Sequence, residues 1–203
     1  MPADCVGKLS DGVTTIDVVL ASCTPTGAVL ETGQTTCYNS AGAIVPCGGT
    51  GQDGDVQKGR TPSYTVDVNG LTITDNTTGL EWEKLTNDGS IHDFDNVYTW
   101  TNAFAVKIAT LNTAPCFAGH CDWRLPNINE LQTLTDWGRV NPAIDPVFNN
   151  GADSFTKSSF YWSSTSYAGG PSGAWVVDFF DGDVGAFGKA FSDFFVRAVR
   201  GGS

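Results

Sequence analysis

The sequence lacks the motifs that mark most enzymes and metal sites. Among its 203 residues are only two histidines, His92 and His120, and no Gly-x-Ser-x-Gly, His-Glu-x-x-His or phosphate-binding loop occurs. A histidine-based triad would have to use these two residues, and no motif supports one. The absences predict a protein that is not an enzyme and that carries no cofactor.

Positive charge is also scarce. Eleven Lys and Arg residues stand against 22 Asp and Glu residues, which gives a formal net charge of −11 at pH 7. The Lys and Arg residues are scattered, and Arg197 with Arg200 is the closest pair of arginines, so the sequence shows no basic patch. Because polyanions would be repelled, the composition excludes nucleic acid as a partner and disfavours sulfated glycans and anionic lipid surfaces.

Long hydrophobic runs are missing too. No apolar stretch reaches the roughly 18 residues that a membrane span needs, which excludes membrane insertion. The first twenty residues contain Asp4, Lys8, Asp11 and Asp17 without an apolar core, so this chain shows no signal peptide. We expect an extracellular or cell-surface protein whose signal peptide has been removed.

Six cysteines support that location. They fall into three local pairs, and of the fifteen possible pairings proximity favours Cys5–Cys23, Cys37–Cys47 and Cys116–Cys121. A bridge that closes such a loop stabilises a small domain by roughly 2–3 kcal/mol. Zinc is the weaker alternative, because no Cys-x-x-Cys occurs and His120 stands beside a single cysteine.

Composition divides the chain into two parts. Residues 1–60 are rich in Gly, Thr and Ala, contain no Trp or Phe, and hold four of the six cysteines. Within them, residues 35–47 read as two extended pieces around a turn at 39–42, which a Cys37–Cys47 bridge would staple, and residues 48–55 read as a flexible connector. We interpret residues 1–60 as a disulfide-stapled appendage or spacer and residues 61–203 as the main domain.

Periodicity in the main domain predicts strands and then helices. Alternation at Tyr64, Val66, Val68, Leu71 and Ile73 predicts a strand with one buried face, and the alternation resumes at residues 80–83 after a turn at 76–79. A first helix is predicted from apolar residues at helical spacing, and Asp95 or Asn96 could cap its start. The apolar residues are Val97, Trp100, Phe104, Ile108 and Leu111.

A second helix is predicted after Pro126. Asn127 with Glu130 three residues on resembles a capping box, Ile128, Leu131 and Leu134 give an apolar face, and Gly138 ends the helix. Short strand-like pieces follow at residues 160–162, 174–179 and 194–200. Two helices followed by several strands indicate an α+β fold.

Five ordered motifs resemble the Lcl C-terminal domain family, which is named for the C-terminal domain of a bacterial collagen-like adhesin. The resemblance covers about residues 66–202, and its motifs lie at Thr74–Trp82, Asp122–Asn127, Tyr161–Thr165, Ala174–Phe179 and Val196–Gly202. It implies a C-type-lectin-like domain, with two helices flanking antiparallel sheets and a loop-built ligand face. It also implies a bacterial or phage-derived surface protein; family members are described as adhesins, some of which bind sulfated glycans.

The motif residues also have structural explanations. Four tryptophans are expected in the core: Trp82, Trp123, Trp162 and Trp175. Arg124 is expected to pair with a buried carboxylate or with backbone carbonyls, and Pro126 stands where a helix begins.

The C-terminal window, residues 178–195, is unusually rich in phenylalanine. It holds six of the twelve Phe residues of the chain, where composition alone predicts about one. Their spacing fits neither one strand face nor one helix stripe, and Gly182, Gly185 and Gly188 interrupt any helix. We therefore expect Phe179 and Phe195 in the core and other rings on a binding surface.

A second resemblance concerns this window. Some lectin-fold members of the family are variable proteins of diversity-generating retroelements, in which adenines of chosen codons are randomised. Their last segment resembles Ala-Trp-x-Val-x-Phe, Gly-x-Val, Lys and Val-Arg-Ala-Val-Arg, which this chain carries between Ala174 and Arg200. Between these residues stand Phe, Asp, Gly, Ala and Ser, all reachable from an Asn codon through its adenines. The resemblance implies one clone of a diversified binder.

The sequence thus predicts non-catalytic binding of a protein or glycan on another surface. The phenylalanines would serve as apolar anchors and the aspartates would select a polar or basic partner. The predicted ligand-binding residues are Tyr167, Asp178, Phe180, Asp181, Asp183, Phe187, Phe191, Asp193 and Phe194. Oligomers would add avidity.

Three alternatives stay open for function. They are a fixed carbohydrate- or host-surface-binding adhesin domain, a structural spacer, and a degenerate enzyme. Formylglycine-generating enzymes share the lectin-like fold, but their cysteines lie late in the domain, whereas the last cysteine here is Cys121.

Calcium is an open alternative for two acidic runs. Residues 93–96 and 178–183 could offer oxygen ligands, yet neither run matches an EF-hand, and solvated loop carboxylates are the commoner explanation.

Overall fold

The computed structural model describes residues 6–10, 15–19, 29–190 and 193–201. The predicted pair Cys5–Cys23 and the predicted site residue Phe191 lie outside these residues. Within them, no helix combines the length and the apolar character that crossing a bilayer requires.

In this part of the chain the structure has thirteen strands and four short α-helical segments. The strands are β1 (Val6–Ser10), β2 (Thr15–Val19), β3 (Cys37–Tyr38), β4 (Ile44–Val45), β5 (Tyr64–Val66), β6 (Thr72–Asp75), β7 (Leu80–Glu83), β8 (Val97–Tyr98), β9 (Phe160–Ser166), β10 (Gly173–Asp178), β11 (Val184–Gly188), β12 (Phe194–Phe195) and β13 (Val199–Gly201). The α-helices are α1 (Asp53–Val56), α2 (Trp100–Asn102), α3 (Ala109–Leu111) and α4 (Ile128–Gln132). A π-helical stretch, Ala103–Ile108, joins α2 to α3, and 3₁₀ turns lie at Phe117–Gly119 and Pro146–Phe148.

The predicted α+β class is confirmed. The main domain contains a five-stranded sheet in the order β11-β10-β9-β12-β8 and a four-stranded sheet in the order β13-β7-β6-β5. All strand pairs are antiparallel except β12 with β9. The piece predicted at residues 194–200 is two strands, because β12 joins the first sheet and β13 joins the second. The C-terminal segment therefore ties the two sheets together.

Two apolar clusters fill the domain. One contains Trp82, Tyr161 and Phe179, and the other contains Trp123, Trp162 and Val196. Paired strand residues on β9 and β10 explain the division: Tyr161 opposite Val177 belongs to the first cluster, and Trp162 opposite Val176 to the second. The core prediction is confirmed for Trp82, Trp123 and Trp162, which are buried, whereas Trp175 is half-buried.

The hairpin predicted around Cys37 and Cys47 forms. A disulfide joins Cys37 to Cys47, and β3 pairs with β4. Residues 48–55 are not a bare connector, because they include the start of α1, whose Gly54 is buried against the backbone of residues 35–36. The second predicted bridge, Cys116–Cys121, is also formed.

The strand predicted over residues 64–73 is a hairpin instead. Residues Tyr64–Val66 pair with Ile73–Asp75 across a turn at 67–71. The Asp67 carboxylate accepts from the backbone nitrogens of Leu71 and Thr72 and so closes this turn. Val66 and Val68 are consequently exposed, against the sequence prediction of one buried face.

The first predicted helix begins later than its apolar stripe suggested. Val97 belongs to β8 and is exposed. The helix is capped by Thr99, whose hydroxyl accepts from the backbone nitrogen of Asn102, and not by Asp95 or Asn96. The second helix has the predicted capping box between Asn127 and Glu130 but ends at Gln132, six residues before Gly138.

A buried ion network joins the first helix to β7. Glu83 is fully buried, its Oε1 accepts from Lys107 Nζ at 2.5 Å, and His92 Nδ1 lies 2.7 Å from the same oxygen. Glu83 Oε2 accepts from the backbone nitrogen of Ala198 at 3.1 Å. Burial alone would raise the pKa of Glu83, but the charge of Lys107 and the contact with His92 together hold that pKa below its ordinary value.

The two arginines nearest each other in the sequence do not form a basic patch. Arg197 is fully buried, and its guanidinium donates to the carbonyls of Glu83 and Phe155, both at 2.8 Å. Arg200 pairs with Glu81 and Asp122. Each guanidinium is thus engaged within the fold.

Candidate functional site

The predicted ligand-binding residues lie mainly on the hairpin of β10 and β11. β11 is an edge strand of the five-stranded sheet, and it pairs only with β10 among the described strands. Antiparallel register places Phe187 opposite Ala174 and Gly185 opposite Val176, so these four residues share one face. The small side chains on this face leave room for the Phe187 ring, which lies over Gly185.

Three rings form the centre of this face, and we call Phe160, Phe187 and Phe194 the aromatic patch. Ring centroids are 4.8 Å apart for Phe160–Phe187, 5.2 Å for Phe160–Phe194 and 5.1 Å for Phe187–Phe194. Phe187 is 36% exposed, whereas Phe194 is half-buried and packs on Trp162 at 4.8 Å. The patch is the solvent-facing rim of the second core cluster.

The β10–β11 turn presents the next group of predicted residues. Phe180 is 46% exposed, while its neighbour Phe179 is fully buried. Asp178 Oδ1 accepts from the backbone nitrogen of Phe180, and Asp181 Oδ1 accepts from that of Asp183. Asp178 and Asp181 therefore shape the turn, and each keeps a second carboxylate oxygen beyond these bonds. Asp181 and Asp183 are exposed.

Gly182 is the position in this turn where the fold dictates the residue. Its φ of +93° is in the region that favours glycine. A Cβ added there would stand 2.6 Å from Cγ2 of Thr135 and 2.9 Å from Nε1 of Trp137. The turn is thus pressed against the loop that follows α4.

Gly182→Ala should lower the free energy of unfolding by about 2–3 kcal/mol, because backbone strain and overpacking add. Gly151→Ala is the matched control, since its φ is +70° but a Cβ there would meet nothing within 4 Å. That control should cost only about 1 kcal/mol. Urea denaturation followed by circular dichroism measures both, and equal losses would contradict the close packing at Gly182.

Tyr167 does not join the aromatic patch. It lies in the β9–β10 turn, is 39% exposed, and its ring meets Trp175 edge-on at 5.2 Å. Trp175 points to the sheet face opposite Phe187, because side chains alternate along β10. The β10 strand also separates Tyr167 from the turn at Phe180 by roughly 17 Å. The structure therefore groups the predicted residues in more than one place.

The structure adds residues that the sequence reasoning missed. Phe160 completes the aromatic patch from β9, and Lys189 Nζ lies 4.2 Å from the ring centroid of Trp100. The same ammonium donates to Ser166 Oγ at 2.6 Å and to the carbonyl of Pro171 at 2.9 Å. The alternation of Phe160 with Trp162 along β9 was a sequence signal that could have identified Phe160. No local sequence signal pairs Trp100 with Lys189.

The acidic runs considered for calcium have other engagements. Asp93 accepts from the backbone nitrogens of Gly89 and Asp95, and Asp95 itself pairs with Lys157. Backbone hydrogen bonds hold the pKa of Asp93 below its ordinary value. Within the part of the chain that the structure describes, no three His, Cys, Asp or Glu side chains converge as metal ligands do.

The predicted site residue Asp193 is exposed beside β12.

Arg124 pairs with a carboxylate and a backbone carbonyl, although the carboxylate, that of Glu130, is half-buried and not buried as predicted. Its guanidinium makes a bidentate pair with Glu130, with both N···O distances 2.7 Å, and also donates to the carbonyl of Gly201 at 2.9 Å. Glu130 in turn caps α4, so this motif residue joins the helix to the C-terminal strand. These contacts explain Arg124 as a structural residue.

Comparison with known families gives one match. The profile of the family described as the Lcl C-terminal domain matches residues 71–200. The matched range includes both sheets except β5 and the last residue of β13, and it includes the whole of the aromatic patch and the turn. No curated protein matches the chain.

Proposed function

The chain belongs to the Lcl C-terminal domain family, and from that premise we propose that it is a non-catalytic binding module of the C-type-lectin-like kind. It contacts its ligand through the aromatic patch and the adjoining turn at residues 178–183. The observation that carries the proposal is the exposed Phe187, held in place by two further rings. It is presented from the cell or phage surface as one variant of a diversified receptor-binding protein.

The alternation of replaceable and dictated positions supports diversification. Phe180, Asp181 and Phe187 are exposed, so their side chains can change without disturbing the core. Phe179 and Gly182 lie among them, and the first is buried while the second admits no Cβ. A binding face that varies needs exposed, replaceable residues that are distinct from the residues the fold requires, because a change at a required residue would unfold the domain.

The chemistry of the face suggests its ligands. Exposed phenyl rings bind apolar side chains or stack on the apolar faces of sugar rings. The carboxylates of Asp181, Asp183 and Asp193 favour basic or hydroxyl-rich partners and repel anionic ones. A basic protein surface and a neutral glycan are therefore the two ligand classes to screen.

The experiment that tests diversification is sequencing of the gene's 3′ end and its flanking DNA. We expect a nearby near-copy of the segment that encodes residues 163–200, with adenine-rich Asn codons opposite Phe180, Phe187, Phe191 and Phe194. Absence of such a copy would overturn this part of the proposal and leave a fixed recognition module.

Phe187→Ser should lower the free energy of unfolding by no more than about 1 kcal/mol, because the ring is partly exposed and only covers the sheet edge. Phe179→Ser is the matched control on the same hairpin, and burial of that side chain predicts a loss of about 3–5 kcal/mol. On a glycan array and a panel of host surface proteins, Phe187→Ser should weaken the strongest signal at least tenfold. Binding that survives this change would refute the assignment of the face.

One observation favours the fixed adhesin as a second candidate. Phe194 is half-buried against Trp162, so a randomised residue there would disturb core packing. Phe194→Ser should cost more stability than Phe187→Ser under either candidate function, whereas only a fixed adhesin should keep both rings in homologous genes. The gene sequence described above separates the two candidates.

A further inference from the structure

A cavity of about 400 Å³ lies outside the proposed binding face, where residues 31–62 meet the segment at residues 134–145. One wall is the segment at Glu31–Gly33 and Pro62, and the other is Tyr64 with Leu134–Asp136 and Asp145. Its volume is in the range of small-molecule sites. None of the aromatic patch residues lines it.

Backbone contacts hold the two walls together. Trp137 donates its backbone N–H to the carbonyl of Thr32 at 2.8 Å across the walls, and Glu31 donates to the carbonyl of Arg60 at 3.1 Å within one wall. Gly138 lies so close to Gly33 that a Cβ on Gly138 would stand 2.2 Å from the Gly33 carbonyl oxygen. The cavity is therefore formed by ordered backbone before any ligand arrives.

The charges around the cavity have one sign. Glu31, Asp136 and Asp145 line it, and no Lys, Arg or His is among the described lining residues. Burial and then the charges of Asp75, Asp145 and Asp136 raise the pKa of Tyr64 well above its ordinary value. Burial likewise raises the pKa of Asp136, although Arg139 acts against it from outside the lining. The interior therefore has a negative potential.

An unpaired polar group lies in the wall. Thr135 lines the cavity and is only 6% exposed. Its hydroxyl has no hydrogen-bond partner among the described residues. Buried hydroxyls are almost always paired, so this one has an unused capacity to bind a donor or acceptor.

The carboxylates do not form a metal site. No group of three or more His, Cys, Asp or Glu in the described residues is placed to hold a metal ion. The negative charges are instead distributed around a space that also has the apolar walls of Pro62, Tyr64 and Leu134. Distributed charge and an aromatic wall suit an organic cation that has an apolar body.

We propose that this cavity binds a small organic ammonium ion, with its apolar body against Tyr64 and Leu134 and its charge between Asp136 and Asp145. The site is separate from the proposed recognition face and does not depend on it. Free amines and the lysine side chain of a peptide share this chemistry.

The test uses benzylammonium chloride as the probe and the full chain labelled with ¹⁵N. Saturable amide shifts are expected at Tyr64, Leu134, Thr135 and Asp136. Benzyl alcohol, which has the same ring without the charge, should bind at least about fivefold more weakly, and higher salt should weaken benzylammonium binding. Equal binding of the alcohol, or shifts that map elsewhere, would overturn the proposal.

Two variants remove charge while they keep the local hydrogen bonds. Asp136 and Asp145 each use Oδ1 to accept a backbone N–H, which an asparagine oxygen can also do. Asp136→Asn and Asp145→Asn should each weaken benzylammonium binding at least about threefold. Asp67→Asn is the matched control, because Asp67 also closes a turn through Oδ1 but does not line the cavity. An equal loss in this control would sink the proposal.

The two proposals fail separately. Phe187→Ser should leave benzylammonium affinity unchanged, because Phe187 does not line the cavity. A glycan or protein ligand of the aromatic patch should not compete with benzylammonium, because the two bind at different sites. Competition would therefore show that the ammonium site is not a separate one.

Discussion

Glu83→Gln is expected to lower the free energy of unfolding by about 3–5 kcal/mol. The change leaves the ammonium of Lys107 buried without its counter-ion, because Lys107 is 1% exposed and lies 2.5 Å from Glu83. The carbonyl of Ile91, which also accepts from Lys107 at 2.6 Å, carries no charge to replace the carboxylate. Removing one partner of a buried pair costs more than the pair contributes, because the other charge is left uncompensated.

Glu81→Gln provides the matched control on the same strand. Glu81 pairs with Arg200, but both side chains are partly exposed. Water can therefore solvate Arg200 after the change, and the expected loss is about 1 kcal/mol or less. Urea denaturation at pH 7 measures both variants. A loss in Glu83→Gln no larger than that in Glu81→Gln would contradict the buried network.

The difference in the free energy of unfolding between the wild type and Glu83→Gln should depend on pH. The pKa of Glu83 is lower in the folded chain than in the unfolded chain, so the unfolded state binds a proton first as the pH falls. The stabilisation is complete above the ordinary carboxyl pKa of about 4.3 and is lost as the pH falls through the folded value. Glu83→Gln lacks this contribution, so its difference from the wild type should stay constant above about pH 5 and shrink as the pH falls below about 4.3.

Lys107 shows why the sequence could not reveal this network. The predicted apolar stripe does not include Lys107, although that residue stands three positions after Phe104 and four before Leu111. The structure has a π-helical stretch at Ala103–Ile108, and its buried residues are Ala103, Lys107 and Ile108. Periodicity cannot predict a π-helix, and the partner Glu83 is 24 residues away. The helix itself was predictable, but its buried charge was not.

Local chemistry was read more reliably than long-range packing. The capping box at Asn127 and Glu130 and the Cys37–Cys47 hairpin depend on residues close in sequence, and both were predicted. The C-terminal piece was predicted as one strand, because nothing local shows that β12 and β13 pair with different sheets. Register with distant strands decided that division.

The amino-acid composition identified the segment that holds the candidate site, and the register of the strand pairs shows which residues share its face. The excess of phenylalanine marked the C-terminal window, and the burial of Phe179 was predicted. The sequence-based prediction put Tyr167 in the same face as the window. Only the pairing of β9 with β10 shows that Phe160 belongs to the patch and that Tyr167 lies beside Trp175. Contacts between strands are non-local and leave no short-range pattern.

Trp162→Ala is expected to cost about 3–5 kcal/mol and to loosen the aromatic patch as well. Trp162 is fully buried, its indole N–H donates to the carbonyl of Tyr98 at 2.8 Å, and Phe194 packs on its ring. The change leaves a cavity beneath Phe194 and removes one hydrogen bond to the Tyr98 carbonyl. The patch therefore depends on a core residue that no ligand touches.

Trp137→Ala is the matched control, because Trp137 is 44% exposed and should cost about 1 kcal/mol or less. Circular dichroism in urea gives both free energies without relying on tryptophan fluorescence. Proton spectra of the ring region should show faster flipping of Phe194 and Phe187 in Trp162→Ala alone, since their support is removed. If Trp162→Ala were destabilised but kept slow rings, the patch would be held by its own three contacts and not by the core.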